Sequence, residues 1–208
     1  MISKLLIMIL LIWILSVSVV TYDLKKQNIS SIMKIVWFLT VLYSGLFGVL
    51  IYYISGRNQI SHDSNYRRSL RSTAHCFSGC GMGEILGIII ATIIGFSIIS
   101  TGIFTFILAY LFGYLFNVIP LKIDGVSLRT AIEDSFYTES LSILVMEITA
   151  ISIDLIISGG AGIMTPIFWI GLVISLIAGF IAAYPVNIAL ILSGVKQGMS
   201  SPKLDSLY

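Results

Sequence analysis

Two thiols, an imidazole and a carboxylate fall within the run TAHCFSGCGMGEILG, as His75, Cys76, Cys80 and Glu84. The two cysteines are the only ones in the chain. Cys76, Cys80 and Glu84 are spaced by four, which on a helix sets them along one face. Thiolate, imidazole and carboxylate are all transition-metal ligands, and a pair of thiolates with a histidine favours Cu(I) or Zn over Mg or Ca. Met82 adds a soft donor one turn away. If these residues open a helix, its N-terminal dipole would also favour the thiolate form. The plainer reading of the same spacing is two small packing residues flanked by interfacial caps. A disulfide between positions four apart is awkward within a regular helix.

A second set of polar groups lies further along. Ser140, Glu147 and Asp154 are separated by seven, two helical turns, and so share a face. Glu139 stands just before that apolar run. A carboxylate at mid-membrane costs about 2.5–3.5 kcal/mol to insert, so it normally turns inward toward a partner. No Lys or Arg lies inside the apolar segments, which points to a proton or a metal cation as that partner. Asn187 follows Pro185, and a proline inside a membrane helix frees a backbone carbonyl beside it. A third pattern is the row Gly79, Gly83, Gly87, Ala91 and Gly95. Small residues at a spacing of four make a flat groove in which another helix approaches closely.

These residues need a scaffold, and the composition says which kind. The chain of 208 residues is 57% hydrophobic and only 11% charged, with a mean hydropathy of +1.02. Soluble domains carry about 25% charged residues, so an all-α, polytopic helical bundle in a lipid bilayer is expected. The net charge of +2 gives no case for nucleic acid. No Gly-rich phosphate loop, Ser-His-Asp set or HExxH run occurs, so no catalytic residues and no enzyme activity are assigned.

About six transmembrane helices are expected. Residues 2–20 form a retained anchor, and 32–54 a second crossing. Residues 79–99 and 102–119 form two more, separated by a turn at Ser100-Thr101-Gly102, with Pro120 ending the second. Residues 139–158 and 166–192 complete the set. In domain terms this is an anchor and linker at 1–31, a membrane domain at 32–199, and a polar tail at 200–208. Six crossings put both termini on one side. Nine Lys and Arg on that side against three opposite then make it cytoplasmic, with the thiols at the cytoplasmic mouth of the third helix.

The runs AHCFSGCGMGE, EDSFYTESLSILVME and PVNIALILSGVKQGM resemble domain of unknown function 4396, a family of polytopic membrane proteins. The resemblance spans about residues 32–199. It singles out His75, Cys76, Gly79, Cys80, Gly83 and Glu84, then Ser140, Leu141, Ser142 and Glu147, then Pro185, Val186, Asn187, Gly194, Lys196 and Met199. The family usually carries Asp where this chain has Glu84, and often an Asp near Glu139. It implies company with copper proteins or oxidases and has no established activity to lend. The expectation is therefore a plasma-membrane protein that binds and handles or transports a soft transition metal, copper or else zinc. The alternative is a non-catalytic accessory subunit of a larger complex such as a terminal oxidase. Homo-oligomerisation is a further option.

Overall fold

The computed structural model describes residues 2–60, 63–123 and 125–199, and those residues are helical throughout, joined by short turns. Seven helices follow in order: α1 (Ile2–Lys26), α2 (Ser31–Ser44), α3 (Leu46–Ser55), α4 (Asn65–Ile94), α5 (Ile98–Ile123), α6 (Leu128–Ser158) and α7 (Pro166–Leu192). The all-α bundle is as the sequence implied. Five of the helices, α1, α4, α5, α6 and α7, are long and apolar enough to cross a membrane. The expected tail at 200–208 lies outside the described residues.

The expected second crossing is not one long helix but two shorter ones. Apolar residues run almost unbroken through it, yet the chain reverses at Gly45, whose φ of 54° lies in the left-handed region that glycine alone enters cheaply. α3 then folds back along α2. A Cβ added at Gly48 would lie 2.7 Å from the Val41 Cα, and one at Gly56 would lie 2.5 Å from the Trp37 ring. In one straight helix residues 37 and 56 would stand about 28 Å apart. The Trp37 and Tyr52 rings instead meet edge-on at 5.5 Å. The base of the hairpin is tied to the end of α1: Tyr52 donates to Asp23 at 2.6 Å, Arg57 pairs with Asp23 at 3.0 Å, and the Asn58 N–H reaches Gln27 at 3.0 Å.

A helix end in the middle of an apolar layer exposes carbonyls that water cannot reach. Here the Trp13 indole of α1 donates to the Leu42 carbonyl at 3.0 Å, beside the Gly45 turn. Trp13→Phe keeps the ring and deletes that donor. It is expected to cost about 1 kcal/mol, read as a lowered unfolding midpoint in detergent.

Five helices are long and apolar enough to cross a membrane, and the hairpin is built of two shorter ones. The end of α1, the base of the hairpin, the start of α4 and the residues after α7 share one end of the bundle. Arg68 and Arg71 of α4 bond the carbonyls of Gln197 and Met199 there. The amino end of α1 lies at the opposite end.

α4 also starts earlier than expected, at Asn65. Ser64 caps it by accepting from the Arg67 N–H. Its start looks like loop because it is polar, and from Ser69 onward those polar residues are buried. Arg71, only 1% exposed, bonds Asp63, the Ser55 carbonyl and the Met199 carbonyl. The turn after α4 falls at Gly95 (φ 80°), where the N–H groups of Gly95 and Phe96 return to the Ala91 carbonyl. Ser100, Thr101 and Gly102, expected as that turn, are the first turn of α5. Pro120 does not end α5, which runs on to Ile123.

Candidate functional site

α4 and α5 form the closest pair of helices, and α4 supplies the small residues that let them meet. A Cβ at Gly79 would fall 2.8 Å from the Gly113 Cα, one at Gly83 would fall 2.3 Å from the Leu108 carbonyl oxygen, and one at Gly87 would fall 2.9 Å from Thr105. Three members of the small-residue row therefore face α5. Ala91 is fully buried on the same helix, while Gly95 is the helix cap, with open space around it.

This close approach sets the position of the thiols. The Cys80 sulfur lies 2.7 Å from where a Gly113 Cβ would stand, so α5 makes room for it by having no side chain there. Cys76 and Cys80 are both free and buried, with their sulfurs 4.0 Å apart. From α6, the Glu147 carboxyl lies beside the Cys80 thiol, and its Oε2 has no hydrogen-bond partner. The thiols are not at a helix mouth: α4 begins eleven residues before Cys76, about 16 Å away at 1.5 Å per residue. The dipole effect fades within the first turn, so the helix N-terminus does not activate them.

The other expected ligands are elsewhere. The His75 ring is buried against Phe116, at 6.1 Å between centroids, and its Nε2 has no partner. Met82 is half-buried against the core. Glu84, 3% exposed, leaves Oε2 unpartnered and lines a cavity with Asp154 at the far end of the bundle. Among the described residues no three His, Cys, Asp or Glu side chains gather as a metal-binding group. What converges is the dithiol with Glu147 beside it. Ser140 turns toward α5 and accepts from Tyr110 at 2.7 Å, leaving Glu147 and Asp154 as the inward acids of its row.

Asn187 is fully buried and central to a network at the hairpin end. Its amide donates to Ser142 at 2.6 Å and Thr73 at 3.1 Å, while its carbonyl oxygen accepts from Lys196 at 2.9 Å. Lys196 also pairs with Glu139 at 2.6 Å, with both side chains almost fully buried. Sequence reasoning missed this pair because Lys196 lies beyond the last apolar segment. Gly194 (φ 78°) turns the chain back, the Lys196 N–H bonds the Leu190 carbonyl, and the side chain enters the bundle. The S-G-V-K run after α7 carried that signal, since glycine at a helix end permits such a reversal.

The core of α4, α6 and α7 thus carries a series of polar groups. The Lys196–Glu139–Asn187 network lies at one end, the Cys76/Cys80 pair with Glu147 in the interior, and Glu84 with Asp154 at the other end. Searches of curated proteins and of solved structures match nothing. One family profile, described as a domain of unknown function, DUF4396, matches residues 65–196. That span opens on the first residue of α4, closes on Lys196 and leaves α1 and the hairpin outside. It holds the dithiol, both intramembrane acids of α6 and the buried ion pair, and it covers more than half of the sequence: the chain belongs to the DUF4396 family.

Proposed function

We propose that this membrane protein binds a soft monovalent metal ion, Cu(I), between Cys76 and Cys80 and moves it through the core of α4, α6 and α7. The observation that carries this is the pair of buried free thiols with sulfurs 4.0 Å apart and an acidic group in contact with one of them. Two metal–sulfur bonds of about 2.3 Å span about 4.6 Å when collinear. The observed separation is within that span, so one ion can reach both sulfurs. Cu(I) accepts two thiolates without further ligands, whereas structural zinc almost always takes four; with no third ligand gathered among the described residues, copper is favoured over zinc. Binding requires both thiols to lose their protons. Glu147 is placed to take the one from Cys80.

The orientation follows from charge. Ten of the eleven Lys and Arg among the described residues belong to the end that holds the hairpin base and the start of α4, and only Lys4 belongs to the other. By the positive-inside rule that first end is cytoplasmic in the plasma membrane. The carboxy-terminal segment is then cytoplasmic, and the amino end of α1 lies on the opposite face. Reporter fusions at the two ends check this: alkaline phosphatase is expected active only at the amino end, and a fluorescent protein folded in the cytoplasm only at the carboxyl end.

Transport is tested in proteoliposomes containing a Cu(I)-sensitive dye, under reducing conditions. Signal is expected for the wild type and no more than the protein-free leak for Cys76→Ser with Cys80→Ser. Equal rates in both would reject the reading.

A second reading, an accessory subunit of a larger membrane complex such as a terminal oxidase, draws on α1. Beyond the hairpin tip, Ile7 through Leu11 are exposed on every side of the helix, by 49–61%, as a helix awaiting neighbours would be. Purification from native membranes in mild detergent separates the two. A defined heteromeric complex supports the subunit reading, and a lone monomer or homo-oligomer speaks against it.

A further inference from the structure

At the end of the bundle opposite the buried Lys196, beneath the turns that join α4 to α5 and α6 to α7, lies a cavity of about 270 Å³. That is room for several water molecules of about 30 Å³ each. Glu84, Thr92, Thr101, Thr105, Asp154 and Ser158 supply its polar lining. Two features make this more than a gap between helices.

The first is an orphaned acid. Glu84 is 3% exposed and its Oε2 has no hydrogen-bond partner; Asp154 Oδ1 likewise has none. Buried polar atoms are almost always satisfied, and each exception asks for a missing partner. The Asp154 oxygen is held by packing: a Cβ on Gly171 of α7 would come within 3.0 Å of it. The second feature is the direction of the hydroxyls. Thr92 spends its proton on the Ile88 carbonyl at 2.8 Å, and Thr105 on the Thr101 carbonyl at 2.9 Å. Ser158 lies beside Asp154. The two threonine oxygens are left with lone pairs to offer, so together with the two carboxylates the lining is rich in acceptors. Among the described residues no Lys, Arg or His lines the cavity.

We propose that this cavity is a binding site for a hydrated divalent cation of the hard class, held by the carboxylates of Glu84 and Asp154 with Thr105 and water completing its shell. Oxygen donors of this kind suit Mg, Ca or Mn, and ions of this class keep several waters when bound by one or two carboxylates. Two carboxylates balance a charge of two, and the volume accommodates the ion with its water. The proposal does not rest on the Cu(I) reading, although Glu147, the carboxyl beside Cys80, also neighbours Glu84. Glu84, expected from spacing to extend the thiol row, belongs here with Asp154.

The test uses the full chain in detergent and Mn²⁺ alone as the probe, followed by electron paramagnetic resonance. One bound Mn²⁺ per chain is expected, displaced by excess Mg²⁺ or Ca²⁺. Asp154→Asn and Glu84→Gln should each weaken binding at least tenfold, while Cys76→Ser with Cys80→Ser leaves it unchanged. The unfolding midpoint of each variant is measured alongside. Wild-type protein that takes up no stoichiometric Mn²⁺ would overturn the proposal. So would Mn²⁺ binding of unchanged affinity in folded Asp154→Asn and Glu84→Gln. Loss of binding in the cysteine variant would also overturn it, by tying the ion to the thiols.

Discussion

Lys196→Met is expected to be among the most damaging single changes in this protein, costing about 3–5 kcal/mol, because it leaves Glu139 buried without its counter-charge. The pair has little access to solvent: the two side chains are 8% and 7% exposed, and both Glu139 oxygens lie within 2.7 Å of the ammonium. The loss spreads, since Lys196 also donates to Asn187, which in turn donates to Ser142 and Thr73. Adding Glu139→Gln removes the uncompensated charge, so the double variant should recover a large part of the loss. Unfolding midpoints in detergent of the two singles and the double give the coupling directly. Additive effects, with no recovery in the double variant, would mean that the pair is not a coupled unit.

Gly83→Val is expected to separate α4 from α5, with a loss at or above the 1–3 kcal/mol typical of overpacking. The reason lies in what a side chain would meet. The first carbon alone falls 2.3 Å from the Leu108 carbonyl oxygen and 2.6 Å from the Ala109 Cα, both backbone atoms that no rotamer change can move aside. Gly102→Ala is the matched control. It lies in the first turn of the same partner helix, α5, with nothing within 4 Å of its added carbon, and is expected to be neutral or slightly stabilising. Since Gly113 makes room for the Cys80 sulfur, displacing α5 should also open the thiols to solvent. Faster reaction of Cys80 with a maleimide in Gly83→Val than in Gly102→Ala would register that movement.

Much of this was legible in the residues, and the exceptions have identifiable causes. Composition fixes the bundle, because a chain with so few charges must satisfy its backbone internally. The spacing of four fixes the glycine face that meets α5, because small residues have few other uses in a row. The hairpin escaped notice because a reversal within the apolar layer needs only one left-handed residue, Gly45, and the side chains on either side are as apolar as those of a crossing helix. Missing it joined α2 and α3 into one expected helix. The start of α4 was obscured for the opposite reason: Arg71 and its neighbours look like a solvated loop, yet tertiary partners bury them in a helix. Spacing placed Cys76, Cys80 and Glu84 on one face, and it could not say that Glu147 would lie beside Cys80 while Asp154 shared a cavity with Glu84. That division depends on the depth of α6 beside α4, which no local pattern encodes.

Whether the two buried thiols form a Cu(I) site is decided by an anaerobic titration of purified protein with Cu(I) against a competing colorimetric chelator. One Cu(I) per chain is expected for the wild type, retained in Glu84→Gln and lost in Cys76→Ser with Cys80→Ser. Wild-type protein that fails to draw Cu(I) from the chelator, or a double serine variant that draws it equally well, would rule the site out.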